Sequence, residues 1–127
     1  MKSSERPLYE IKAALFRALA HPVRIRVLEL LVMAANDPEQ PDEVPVAALL
    51  ADIDVSPSHL SGHLSVLRHD NAVTSRRSGS SVLYRVAHPA VADLLAAARR
   101  FLVDRLSDTE EQLTAAVALP ALDPSDL

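Results

Sequence analysis

Both glycines of this 127-residue chain, Gly62 and Gly79, fall in one stretch, Ser56 to Val86 (SPSHLSGHLSVLRHDNAVTSRRSGSSVLYRV), and it constrains the fold more than any other. Ser56 followed by Pro57 marks a helix start, because a serine hydroxyl caps the free amides of a first turn and proline suits the first helical position. The spacing predicts a helix over 56–69 that ends at Asn71, a residue type that tolerates the left-handed backbone of a helix exit. At about 100° per residue, Leu60, Leu64 and Leu67 share one face with His63 beside them, while Ser58, Ser61, Gly62 and Ser65 face the other way. Solvated helix faces usually carry Lys, Glu and Arg. A face of small hydroxyls and bare backbone instead lets the helix body come close to another surface. Glycine inside a helix costs about 1 kcal/mol relative to alanine, a penalty that close approach explains better than solvent does.

Ala72 to Arg77 and Ser81 to Val86 read as two short strands around Ser78, Gly79 and Ser80, hence a hairpin over 72–86, with Arg76 and Arg77 at the approach to its tip. Two arginines near a turn also occur on ordinary solvated turns. Behind a helix of this kind they acquire a second meaning, as groups that hold phosphate or enter a minor groove. The candidate DNA-contacting residues are therefore Ser56, Ser58, His59, Ser61, Gly62, His63, Ser65, Arg68, Arg76, Arg77 and Gly79.

The pattern Ser-x-x-x-(Leu/Val)-Ser-x-His-Leu-x-x-Leu is matched by Ser56, Leu60, Ser61, His63, Leu64 and Leu67, and Arg77, Gly79 and Tyr84 echo an Arg-x-Gly turn followed by an aromatic-bearing strand. With the opening ALFRALAHPVRIRVLELL, Ala14 to Leu31, these residues resemble the arsenic-repressor (ArsR/SmtB) family of winged helix-turn-helix regulators. The likeness runs from about Ile11 to Arg105. It implies a mainly helical fold with a small β-hairpin, a homodimer formed through the first and last helices, and sequence-specific binding of a double-stranded DNA operator, as a repressor.

At 127 residues the chain has room for one core. Apolar residues make up 49% and aromatics 3%, so that core is built from Leu, Val and Ala, as suits packed helices. The net charge of −4 argues against a simple basic nucleic-acid binder, but its distribution does not: residues 1–35 carry +3, 36–55 carry −6, 56–88 carry +3 and 89–127 carry −4. Positive charge coincides with the proposed reader, an arrangement that orients a molecule on a polyanion. No apolar run is long enough to span a bilayer, and MKSSERPLYE lacks a signal-peptide core, so a cytoplasmic protein without membrane partners is expected. No nucleophile and base pairing, phosphate loop or carboxylate pair stands out, and an enzyme is not expected.

Along the chain, Leu8, Ile11, Leu15 and Leu19 recur at helical spacing over about Pro7 to Ala20. His21 and Pro22 break and restart the helix, His21 as a cap or junction residue, and Val23, Val27, Leu30 and Leu31 carry a second one to about Ala35. Asn36 to Val44 is acidic, without periodicity, and reads as a loop. Pro45 opens a third helix with Val46, Leu49, Leu50 and Ile53 inward, and Asp54 occupies the tight turn, where a left-handed backbone is expected. After His88 and Pro89, the residues Val91, Leu94, Leu95, Ala98, Phe101, Leu102 and Leu106 form an apolar stripe. Ser107 to Glu110 matches a capping box, so a last helix from Asp108 to Leu119 and a flexible tail, Pro120 to Leu127, complete a second segment, 107–127, after a main domain of 1–106. The expected dimer surface comprises Leu8, Ile11, Leu15, Leu94, Leu95, Ala98, Phe101 and Leu102.

The chain has no cysteine, so neither disulfides nor thiolate metal sites are possible, and Pro45 and Ala47 stand where the family's thiolate motif would be. The family's other site type, placed by register from Tyr84, falls on His88, Ala90, Phe101 and Asp104, which lacks two of four ligands. The remaining candidates for nickel, zinc or cobalt are His59 with His63, spaced i, i+4, and His88 with Asp104; His69 and His88 with Asp93 are a further possibility. A separate sensor or corepressor protein, docking on the acidic loop Asp37 to Glu43 or the acidic tail, is the alternative route for a signal. A winged-helix protein-interaction module without DNA binding is the alternative function.

Overall fold

A computed structural model describes residues 1–107 and 109–121. Two helices, α1 (Arg6–Leu19) and α2 (Pro22–Asn36), meet at His21, whose extended backbone turns the chain and whose Nδ1 accepts the Val23 N–H at 3.1 Å. This is a side-chain cap with proline at the first position behind it, as the His-Pro pair suggested. Next come a short strand β1 (Val44–Pro45), helix α3 (Val46–Asp52) and helix α4 (Pro57–His69). The Arg26 guanidinium ties α2 to α3 by a two-pronged pair with Asp52, at 2.8 and 2.9 Å.

The turn between α3 and α4 differs from expectation. Asp54 does not enter the left-handed region: among the described non-glycine residues only Asn71 does, with φ 61°. The Val55 N–H instead bonds the Ile53 carbonyl at 2.9 Å, closing a three-residue turn on Asp54 that needs no positive φ. Helix α4 starts as its sequence indicates, with the His59 N–H donated to Ser56 Oγ at 3.1 Å. It ends at Asn71 with two carbonyls satisfied: the Ala72 N–H reaches Leu67 O at 2.9 Å, and the Asn71 N–H reaches Arg68 O at 3.1 Å. That left-handed exit swings the chain directly into the hairpin.

Strands β2 (Val73–Ser78) and β3 (Ser81–Val86) pair antiparallel from Val73 opposite Val86 to Ser78 opposite Ser81. Gly79 and Ser80 form the two-residue turn, and Gly79 supplies the positive φ of 61° that such a turn favours. The loop expected over 36–44 is not all loop. Val44 and Pro45 pair with Tyr84 and Leu83, so β1 adds a third strand in the order β1-β3-β2.

The core lies where α2, α3, α4 and the sheet converge with α5 (Ala90–Leu106); Leu28, Leu31, Leu49, Leu60 and Leu67 are completely buried within it. Truncating one of these to alanine costs about 2–5 kcal/mol. Helix α1 is different: of its fourteen residues only Ala18 is buried. The last helix, α6 (Glu110–Val117), begins later than expected, and its capping box is not made: Ser107 Oγ donates backward to the Asp104 carbonyl at 2.8 Å, finishing α5, and Thr109 makes no side-chain cap. Asp108 and the tail beyond Ala121 lie outside the described residues. No helix among the described residues is long and apolar enough to cross a membrane.

Candidate nucleic-acid interface

Helix α4 presents two unlike faces. Leu60, Leu64 and Leu67 go inward, while Ser58, His59, Ser61, Gly62, Ser65 and Arg68 are exposed, with Ser56 exposed at the cap. A Cβ added to Gly62 would meet no atom within 4 Å, so packing inside the protomer does not require glycine there. The hairpin stands beside this face with Arg76, Arg77 and Gly79 exposed.

His63 is not among the outward residues. It is 9% exposed, the one polar residue buried as a whole among the described residues, and it fills the space behind α4. Its ring lies 4.1 Å from that of His21, centre to centre, and 4.9 Å from that of His59. Its Nδ1 faces Arg24 Nη1 at 3.2 Å, and its Nε2 faces His59 Nε2 at 3.2 Å. Burial, then the neighbouring His21, His59 and Arg24, keeps protonation of His63 below the usual histidine range. The reason lies in the helical period, since i, i+4 places His63 over the same turn as His59 but rotated inward toward α2.

Arg76 and Arg77 differ in the same way. Arg76 Nε donates to Glu43 Oε2 at 2.6 Å, which holds the Glu43 carboxylate below its ordinary pKa and the guanidinium above its own. Arg77 takes part in no ion pair among the described residues. Glu43 was not singled out in the sequence because it sits 33 residues from its partner, in a segment without periodicity.

This geometry has known counterparts. No protein-family model matches the sequence. An uncharacterized HTH-type transcriptional regulator of Mycobacterium tuberculosis, Rv0081, is 44% identical over 102 residues, 80% of this chain and 83% of the relative. The nodulation protein NolR of Rhizobium meliloti is 34% identical over 103 residues, 81% of this chain and 78% of the relative. The chain belongs to the HTH-type transcriptional regulators.

The family's fold is equally plain in solved structures. The crystal structure of Rv0081 matches with a TM-score of 0.66 at 46% identity, covering 80% of this chain and 95% of that one. That of NolR from Sinorhizobium fredii matches with a TM-score of 0.67 at 31% identity, covering 80% and 93%. Helix α3, the turn on Asp54 and helix α4 form the helix-turn-helix, and β2 with β3 forms the wing. The protein is a DNA-binding transcriptional regulator, not an enzyme.

Among the described residues no three His, Asp or Glu side chains come together as ligands for a metal ion. His59 and His63 bring their Nε2 atoms to 3.2 Å with no third ligand beside them among the described residues, and the Arg24 guanidinium faces His63 Nδ1. His88 Nδ1 accepts the Ala90 N–H at 3.0 Å, and Asp104 lies fourteen positions further along α5 than Ala90, about 20 Å away, so the two cannot share an ion within one protomer.

The expected dimer surface divides. Leu8, Ile11 and Phe101 are 65%, 68% and 67% exposed, an unusual condition for large apolar side chains. Phe16, which the sequence reading passed over, joins them at 61%. Leu15 is half-buried. Leu95 belongs instead to the core, and Leu94, Ala98 and Leu102 line a cavity of about 220 Å3 between α5, α2 and Leu119 just past α6. Leu94 and Leu102 are half-buried there while Ala98 stays exposed, and the chain after α5 folds back along the helix, with Arg99 donating to the Val117 and Leu119 carbonyls at 3.4 Å.

Proposed function

We propose that the protein acts as a homodimeric repressor, placing the exposed face of α4 in the major groove of an operator half-site and the wing on the flanking phosphates. One observation carries this reading: between His59 and Arg68 the outward face of α4 carries Ser58, Ser61, Gly62 and Ser65, all exposed, none of the four large enough to hold a groove wall away. In the complex Ser58, His59, Ser61, Gly62 and Ser65 meet base edges, and Ser56, Arg68, Arg76 and Arg77 hold the backbone. The second copy docks through Leu8, Ile11, Phe16 and Phe101, and two copies set the reading helices about 34 Å apart, one turn of duplex.

The name of the Streptomyces lividans relative, 34% identical over 92 residues, is "probable mercury resistance operon repressor"; repression is consistent with a compact reader that covers promoter DNA. Mercury itself does not carry over, because this chain has no cysteine to bind a soft ion. Control therefore falls to a signal that needs no thiolate, or to a partner protein that meets the acidic loop Asp37 to Glu43.

Selection of duplexes from a random-sequence pool, followed by gel-shift and sedimentation, tests the reading. The expected result is a two-fold symmetric site bound by two copies. A dimer that selects nothing, or binds all duplexes alike, would favour the protein-interaction module, toward which the overall charge of −4 leans.

A further inference from the structure

A hydrogen-bonded chain reaches the reading helix from behind. Arg24 on α2 is anchored by two backbone carbonyls, Ala18 O from Nε and Arg17 O from Nη2, both at 3.1 Å, which leaves Nη1 to meet His63 Nδ1. A guanidinium has donors only. His63 Nδ1 must therefore accept, and the proton of the neutral ring sits on Nε2. That N–H points at His59 Nε2, which must accept in turn, so the proton of His59 sits on Nδ1. His21, whose ring is tilted 39° against that of His63, is fixed independently: its Nδ1 accepts from Val23, leaving its own proton on Nε2.

The direction of every bond thus follows from one arginine. Low protonation of His63 agrees with it, since the groups facing His63 are Arg24 from α2, His21 from the junction and His59 from α4. His59 is itself exposed, one turn from Gly62, and among the described residues no protein group engages its Nδ1.

We propose that Arg24 and His63 are positioning residues for DNA recognition, holding the His59 ring in one orientation and one tautomer so that it enters the groove as a hydrogen-bond donor. The inference rests on the function proposed above and adds to it a chemical preference. A donor at this position selects base edges that accept, N7 or O6 of guanine, N7 of adenine or O4 of thymine, and rejects the amino groups of cytosine and adenine.

Nitrogen-15 NMR of the wild-type protein reads the tautomers directly: His59 as Nδ1–H and His63 as Nε2–H are expected, and His59 as Nε2–H overturns the proposal. The second arm uses a duplex selected by the wild type and a random duplex. His63→Gln keeps an acceptor and a donor on one amide, and its preference for the selected duplex should stay within about threefold of wild type. His63→Leu keeps bulk but neither group, and should lose about tenfold in preference while binding random duplex unchanged. His59→Ala, on the exposed face, should show the same loss and keeps the test decisive if His63→Leu does not fold. Wild-type preference in His59→Ala or in folded His63→Leu refutes the relay alone, whereas a wild type that selects no duplex refutes the functional reading, with the tautomers still measurable.

Discussion

The outward face of α4 and the outward faces of α1 and α5 depart from ordinary solvated surface in opposite directions. On α4 side-chain bulk is missing, with serines and a glycine where lysines and glutamates would normally stand. On α1 and α5 apolar bulk is in excess, with Leu8, Ile11, Phe16 and Phe101 each more than half exposed. A bare polar face has little apolar area to bury and gains chiefly from hydrogen bonds and close approach, whereas an apolar face gains by excluding water. Under the function proposed above, the contrast separates the work of one small protomer: one surface meets a polar groove, the other its own copy.

The comparison breaks most visibly at the apolar surface. Replacing Ile11 and Phe101 together with glutamate should leave the protomer folded, since both are exposed, and yield monomers by sedimentation. Operator affinity should then fall about 100-fold or more, because the second half-site is no longer held at high effective concentration. A double variant that stays dimeric would move the interface elsewhere.

At the bare surface the sharpest change is Gly62→Leu. Nothing within 4 Å obstructs a Cβ there, and leucine is a better helix former, so thermal stability should rise by up to about 1 kcal/mol. Binding of the selected duplex should nevertheless drop by about tenfold or more as the new side chain props the helix away from the base edges. Stability and binding moving in opposite directions would be hard to obtain from any other role for this face. If both rise together, α4 does not enter a groove.

The wing offers a smaller comparison, between an arginine in use and one at rest. Arg77→Ala should weaken binding to specific and random duplexes alike and lower the slope of affinity against salt by about 1. Arg76→Ala should do less, because Arg76 must first leave Glu43. Glu43→Gln releases that guanidinium and should strengthen binding about threefold at low salt. Equal effects of the two arginine substitutions would mean that the Glu43 contact does not persist in solution.

Much of this was legible in the sequence where local chemistry decides the structure. Ser56-Pro57, Asn71 and Gly79 fix the start of α4, its exit and the wing turn through short-range sterics and capping, and all three behave as their residue types require. What escaped was decided at long range. The two residues of β1 are too few to carry a periodicity, and only their pairing with β3, about forty positions away, makes them a strand. Asp54 was expected to adopt a left-handed backbone, but a backbone bond from Val55 to Ile53 closes the turn without positive φ. Leu95, on the same stripe as Phe101, is core rather than interface, because a stripe along one helix does not reveal which part of it α2 and the end of α6 will cover. His63 fits a motif that belongs to the reading helix, yet its rotation toward α2 buries it, and the partner that defines its tautomer lies 39 residues upstream.

The smallest expected effect concerns that buried ring and the stability of the fold. In the unfolded chain His63 takes a proton near pH 6.5, as an ordinary histidine does, whereas in the folded protein burial and the adjacent His21, His59 and Arg24 hold protonation off to lower pH. Between those two points the unfolded state binds more protons, so folding stability rises with pH there and is lost as pH falls below the ordinary histidine range. His63→Gln removes this contribution without emptying the space behind α4. Melting curves of the two proteins should run parallel above about pH 7 and diverge toward about pH 5.5, the wild type losing about 2 °C more. Parallel curves throughout would mean that the ring is as easily protonated behind α4 as in water. The contrast between a dry inner face and a wet outer one would then be weaker than the packing implies.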